Sequence, residues 1–239
     1  MKALILNSGL GSRMGVYTSE HPKCMTSLIG DETILSRQLK MIENCGIKDV
    51  IITTGYYRDV LMEYCKSLPV KLNITFVHNE IYDKTNYIYS IYKAKELLRN
   101  EDVVLMHGDL VFEESVLRDL LCFEKSCMKV SSTQPLPKND FKAIVEDGLV
   151  KKVGVEYFEN SMEAQALYKL NANEWNKWLN HICKFCESDN CSCYAEKALN
   201  EITDDCKIVA YDVQDRLCAE IDNPEDWANI LKRLTLILQ

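Results

Sequence analysis

Residues 4–23 read LILNSGLGSRMGVYTSEHPK. An apolar run gives way to glycines, an arginine stands among them, and a lysine follows a proline. The run is short and continuous, as in a buried strand, and the glycines after it let backbone N–H groups approach an anion. A dinucleotide-binding loop would need G-x-G-x-x-G. Gly9 and Gly11 fit that pattern, but Met14 stands where the third glycine belongs and Gly15 comes one residue late. No G-x-x-x-x-G-K-[ST] phosphate loop occurs anywhere in the chain. What is left is a glycine loop with two cations, Arg13 and Lys23. The planar fork of one and the point charge of the other suit a triphosphate. A glycine-rich turn carrying two exposed basic residues is the reading that competes with it.

Outward from this loop the chain alternates. TILSRQLKMIENC (33–45) has helical apolar spacing and stops at Gly46; DVIITTG is strand-like, YRDVLMEYCKSL helical, NITFVHN strand-like, NYIYSIYKAKELLRN helical and DVVLMHGD strand-like. Such βα alternation predicts an α/β fold, with a mostly parallel sheet covered by helices and ligands beyond the carboxyl ends of its strands. The loops NSGLGSRMG and HGD then share one rim. The second half is less regular. CMKVSST and FKAIVEDGLVKKVGVEYF contain β-like pieces with a hairpin turn at Asp147 and Gly148. NEWNKWLNHICKFC and YAEKALNEI read as helices, KIVAYDV as a strand, and NPEDWANILKRLTLI as a last helix capped by Asn223 with Pro224 first. Trp175 and Trp178 stand at i,i+3 and read as an apolar helix stripe. The expectation is one domain over residues 1–239, with a β-rich insertion around 128–200.

The chain has 239 residues, 47% of them hydrophobic, enough for one sizeable core. A formal charge of -8 without any dense Lys/Arg block argues against nucleic-acid or anionic-membrane surfaces. No apolar run reaches the roughly 18 residues of a membrane span, and the N-terminal run is too short for a signal sequence. A cytoplasmic protein with reduced thiols is expected, since the 11 cysteines are odd in number and scattered. Cys183, Cys186, Cys191 and Cys193 pair CxxC with CxC, a spacing unlike a zinc ribbon. They read as small buried or loop thiols, with a structural metal as the alternative. Oligomeric state stays open, a homodimer included.

LILNSGLGSRMG followed by HPKCM resembles the G-x-G-x-R…P-K signature of nucleotidyltransferases that make activated sugars and head groups from nucleoside triphosphates. HGD, KLNAN and CAEIDNPEDW fall where that family has its metal-binding aspartate, its return strand and its second acidic motif, so the likeness spans nearly the whole chain. TNYIYSIY, MHGDLVFEE and DFKAIVEDG are most similar to the cytidylyltransferases of 2-aminoethylphosphonate and phosphocholine. The LNSG start departs from the sugar enzymes' LAAG.

The resemblance implies a Rossmann-like three-layer α/β/α sandwich with a mixed, mostly parallel sheet and a small β-rich acceptor subdomain. It implies Mg2+ as cofactor, CTP as co-substrate and a small aminoalkyl phosphonate or phosphate as acceptor. Arg13 and Lys23 would hold the triphosphate; Asp109 and Asp222, with Glu220 a weaker third, would hold the metal. Leu6, Ser8, Gly9, Thr85, Asn86 and Ser90 would surround the base, with Gly11, Ser12 and Gly108 completing the CTP site. Thr85 and Ser90 read equally as helix-capping and packing residues. For the acceptor, Asp140 and Lys142 alternate along a strand and would share one face. Lys142 is expected to take the acceptor anion, Asp140, Glu163 or Glu196 its ammonium, and Tyr168 and Tyr194 to offer aromatic faces, ordinary packing being the alternative for both tyrosines.

Overall fold

The computed structural model describes residues 1–237. The alternating half folds as β1 (Lys2–Asn7), α1 (Ile34–Asn44), β2 (Asp49–Thr54), α2 (Arg58–Ser67), β3 (Asn73–His78), α3 (Tyr87–Lys93), α4 (Lys95–Leu98) and β4 (Val103–His107). β1 lies between β2 and β4, parallel to both, and β2 is parallel to β3. Strands covered by helices on both faces are apolar throughout, which is why β1 and β4 read as unbroken runs rather than alternating ones. The helix expected over 86–100 is broken at Ala94, whose N–H is shared by the carbonyls of Ser90 and Ile91.

Then follow β5 (Leu110–Phe112), α5 (Glu114–Cys122), β6 (Cys127–Ser131), β7 (Lys142–Glu146), β8 (Leu149–Gly154) and β9 (Ser161–Leu170). α6 (Ala172–Glu187), α7 (Ala195–Leu199), β10 (Val209–Asp212), β11 (Cys218–Glu220) and α8 (Pro224–Ile237) complete the chain. Nine strands form one sheet in the order β3-β2-β1-β4-β9-β6-β10-β8-β7, while β11 and β5 pair separately.

The sheet is mixed rather than mostly parallel. β9 runs antiparallel to both β4 and β6, while β7 and β8 pair antiparallel to each other and β6 with β10 in parallel. β7 also pairs with the start of β9, so β9, β6, β10, β8 and β7 form a closed circuit. β9 is the element that sequence patterning hides. Its ten residues, SMEAQALYKL, include no valine, isoleucine or threonine, yet the last eight are buried. Burial against two neighbours overrides a weak intrinsic preference.

The apolar side chains of the sheet divide into two large clusters. One holds Leu4, Leu6, Ile88, Ile91, Leu105, Tyr168, Trp175 and Trp178; the other holds Ala3, Ile5, Leu35, Leu39, Val104, Met106, Leu117 and Leu120. Alternate residues of β1 and β4 therefore serve opposite clusters, as period-two strands require. Both tryptophans are fully buried, and their indole N–H groups donate to the carbonyls of Leu98 and Ala195 at 2.9 and 3.0 Å. The hairpin turn forms at Asp147 and Gly148 as expected, both at positive φ. Asn223 caps α8, its side-chain oxygen accepting from the N–H groups of Glu225 and Asp226 at 2.9 and 3.1 Å. All 11 cysteines are free, and among the described residues the four-cysteine segment forms no metal-holding group. Among the described residues no helix is long and apolar enough to cross a membrane.

Candidate active site

Two adjoining clefts, each of about 290 Å3, open beyond the carboxyl ends of β1 and β4 and share Leu6, Gly9, Arg13 and Asp109. One of them is the glycine loop itself, lined also by Gly11, Ser12 and Lys23. Its backbone is set by two glycines. Gly11 has φ 66° and brings the chain beside Lys23; Gly15, at φ 58° and ψ -123°, kinks the 3-10 turns of 12–18 in a region nearly closed to other residues. Met14 is buried in a third apolar cluster with Leu28, Ile34 and Ile230, so the position of the missing fingerprint glycine is a core position here.

Lys23 lies between two carboxylates. Its ammonium donates to Asp109 Oδ2 and to Asp222 Oδ1, both at 2.7 Å, and Arg13 reaches the other oxygen of Asp222 at 2.7 Å. Burial opposes the charge on Lys23, but the two carboxylates outweigh it and hold the ammonium well above its ordinary value. Asp109 is buried too, which would raise its pKa, yet Lys23 and His107 together bring it below the usual carboxylate range.

The wall formed by the residues after β3 and the start of α3 is a chain of hydroxyls and an amide. Asn79, at the end of β3, donates to Thr85 Oγ1 at 3.0 Å and to Ser90 Oγ at 3.1 Å; Ser90 in turn donates to Ser8 Oγ at 2.9 Å. Asn86 caps α3, accepting from the Tyr87 N–H, and its own N–H is held by the Cys191 carbonyl at 2.8 Å. Gly108 is a close-packing residue rather than a lining one, because a side chain there would collide with Asn7. Gly55 plays the same part against the Ser8 carbonyl.

The far end of the other cleft is aromatic and acidic. Tyr87, Phe141 and Tyr194 line it, with ring centroids 5.9 Å apart for Tyr87–Tyr194 and 5.1 Å for Phe141–Tyr194. Asp140 joins them, pushed up to about 6 by burial and then by the negative charges of Asp222 and Asp226. His107 Nδ1 lies 2.8 Å from Glu220 Oε1. Burial works against its imidazolium, but Glu220 raises it to about 9, while burial and Asp109 raise Glu220 to about 7.

Several acceptor-side expectations are not met. Lys142 turns away from the cleft, donating to the Pro137 carbonyl at 2.7 Å over the Phe158 ring. β7 begins only at Lys142, so strand alternation does not extend to Asp140 and the two side chains do not share a face. Glu163 is buried in an ion pair with Lys129. Tyr168 is fully buried, its hydroxyl on Glu196 Oε1 at 2.9 Å, and Glu196 is itself only 1% exposed. Sequence reading missed Asn79, Tyr82, Tyr87, His107, Asn139 and Phe141, all of which line the cleft. Asn79 ends β3 as Asp109 follows β4, and the same strand-end reasoning would have found it.

Two groups of side chains place ligand atoms within 4.8 Å of one another: His107, Asp109 and Glu220, and Asp140, Glu220 and Asp222. The trio expected, Asp109, Asp222 and Glu220, is not one of them, because the Lys23 ammonium sits between the two aspartates. The carboxylate oxygens of Asp109, Asp140, Glu220 and Asp222 are hard donors that fit a divalent cation.

A glycine loop with paired cations, facing two carboxylates beyond a doubly wound sheet, defines a nucleotide-handling α/β protein. The MobA-like NTP transferase domain matches residues 3–130, more than half of the chain, and the chain belongs to that family. It is 32% identical over 136 residues to the CMP-5'-(3-aminopropyl)phosphonate synthase of Streptomyces rubellomurinus, across 57% of this chain and 21% of that protein. It is 34% identical over 104 residues to the choline-phosphate cytidylyltransferase of Streptococcus pneumoniae, across 44% of this chain and 43% of that one. With the CTP:phosphoglutamine cytidylyltransferase of Campylobacter jejuni it shares 28% over 126 residues, or 51% of this chain and 48% of that protein. The matched stretches thus span less than half of each of these curated relatives. Among solved structures, the CTP:phosphocholine cytidylyltransferase of Streptococcus pneumoniae superposes with a TM-score of 0.77 over 98% of both chains at 20% identity. The inositol-1-phosphate CTP transferase of T. maritima gives 0.78 over 97% of this chain and 93% of that one, also at 20% identity. These superpositions establish the nucleotidyltransferase fold.

Proposed function

We propose that this protein transfers a cytidylyl group from CTP to an anionic oxygen of a small aminoalkyl phosphonate, 2-aminoethylphosphonate first, releasing pyrophosphate. The observation that carries the reading is one continuous cleft with two unlike ends: Arg13 and Lys23 in a glycine loop at one, aromatic rings beside Asp140 at the other. The first end suits a triphosphate and the second a small cationic tail. Relatives that act on aminopropylphosphonate, phosphoglutamine and choline phosphate support the same class of acceptor.

The acceptor is already an anion, so the reaction needs positioning and charge neutralisation and no general base. Lys23 and Arg13 exchange partners when a polyanion enters: their carboxylate contacts give way to phosphate oxygens, and Asp109 and Asp222 are freed. Those two aspartates, with Glu220 beside them, would hold Mg2+, which supplies charge neutralisation at phosphate oxygens. Ser8, Ser90, Asn79 and Thr85 present donors and acceptors to the pyrimidine edge, with Leu6 and Gly9 below it. Asp140 and the rings of Tyr87, Phe141 and Tyr194 face the acceptor's ammonium.

The aromatic end specifically favours a second reading, phosphocholine, because a quaternary ammonium gains more from aromatic faces than a primary amine does. Pyrophosphate release from each of the four nucleoside triphosphates decides between them. Each is crossed with 2-aminoethylphosphonate, phosphocholine, phosphoethanolamine and glucose 1-phosphate. Turnover of glucose 1-phosphate alone would overturn both readings, and failure of CTP with Mg2+ to raise the melting temperature would remove cytidylyl transfer itself.

A further inference from the structure

Glu196 opens α7 directly beneath the aromatic end of the cleft. It accepts hydrogen bonds from the hydroxyls of Tyr87 and Tyr168. Among the described residues no lysine or arginine pairs with it. The positive group that acts on it, His107, makes its own hydrogen-bonded contact with Glu220 at 2.8 Å rather than with Glu196. Burial works against its ionised form, and the two hydroxyls and His107 work for it. Tyr168 ends in the core, edge-on to Trp178 at 5.2 Å. Tyr87 instead lines the cleft, its ring 4.7 Å from His107 and 5.9 Å from Tyr194.

A phenol that donates to a carboxylate gains electron density in its ring, and an electron-rich ring attracts a cation more strongly. A buried anion a few ångströms behind that ring adds a field of the same sign. We propose that Glu196, acting through Tyr87, sets the charge selectivity of the acceptor pocket. It is a positioning residue that favours an ammonium-bearing acceptor over a neutral one of the same shape. The inference rests on the acceptor class given above.

The test compares pairs that differ only in charge: 2-aminoethylphosphonate with propylphosphonate, and phosphocholine with 3,3-dimethylbutyl phosphate. For wild type the ratio of kcat/KM within the preferred pair should favour the cation. Glu196→Gln keeps the shape and an acceptor oxygen but removes the charge, and should cut that ratio roughly tenfold while leaving the KM for CTP within about twofold. Tyr87→Phe, which breaks the link without touching Glu196, should cut the ratio in the same direction. Tyr168→Phe, which removes the other hydroxyl, should leave it unchanged. If wild type discriminates and the Glu196→Gln and Tyr87→Phe proteins discriminate equally well, the inference is overturned and the acceptor reading stands. A uniform loss across CTP and all acceptors makes Glu196 a folding residue and also overturns it. A wild type that takes neither member of either pair overturns the acceptor reading, and this inference with it.

Discussion

The two ends of the cleft are built by different means. The phosphate end comes from loops that leave β1 and β4, parallel neighbours whose register aligns Leu6 with His107. Arg13, Lys23 and Asp109 therefore meet because the sheet brings their loops together, and Asp222 joins them from the end of β11, which pairs with β5. The acceptor end comes from the turn before β7, the start of α3 and the residues just before α7, elements joined by the antiparallel β9 and by side-chain packing. The first is a consequence of topology, and the second of tertiary contacts. A substitution at the phosphate end should therefore act on chemistry, and one at the acceptor end on recognition.

The largest effects should fall at the phosphate end. Lys23→Ala and Asp109→Asn should each lower kcat for pyrophosphate release by roughly 10²- to 10³-fold, with circular dichroism unchanged. Because the two side chains touch, the double variant should lose far less than the product of the single losses, as a double-mutant cycle in kcat would report. Additive losses would separate them into independent roles. At the acceptor end, Tyr194→Ala should raise acceptor KM roughly tenfold and leave the KM for CTP unchanged. Equal effects on both substrates would blur the division of labour. Lys142→Met should leave acceptor KM within about twofold, since its ammonium is spent on the Pro137 carbonyl. An effect as large as that of Tyr194→Ala would put it back in the pocket.

The smallest effect tests the boundary between the ends, where His107 lies. Its folded pKa of about 9 exceeds its ordinary value of 6.5. The folded state then holds a proton that the unfolded state releases, so the contribution is complete below the unfolded value and fades as pH rises through the folded one. In chelator-treated protein the melting temperature should drop between pH 6.5 and 9, and His107→Gln should flatten that decline. An unchanged slope would mean the Glu220 pairing is not retained in solution.

The difference between the ends also decides what could be read from the chain. β1, β4 and the helices between them follow from apolar periodicity; Arg13 and Lys23 are conspicuous as cations set among glycines and after a proline, and Asp109 because a carboxylate ends an apolar run. β9 was invisible because alanine, glutamine and methionine carry little strand preference, and its place in the sheet is decided by neighbours far away in sequence. The departures at Lys142 and Glu163 share that cause, and Tyr168 takes the packing role that was its alternative reading. Without β9 and the start of β7, no pattern says which charged or aromatic side chains of 140–170 face inward. Tyr87 and Phe141 were overlooked for the opposite reason, since each reads as an ordinary apolar residue until the wall they share is assembled. Gly55 and Gly108 carry no signal at all, because what they avoid is an atom on another strand.

The ammonium of Lys23 bridges residues 86 and 199 positions away along the chain. Protein synthesis delivers these partners in order: the glycine loop first, Asp109 next, and Asp222 last of the three. A ribosome-bound chain that has not yet exposed Asp222 has its strand-end loop and Asp109 but lacks the second carboxylate, so Lys23 is left with one of its two partners. The bridge closes only once Asp222 has emerged, and it cannot serve as a template for folding β1 and β4.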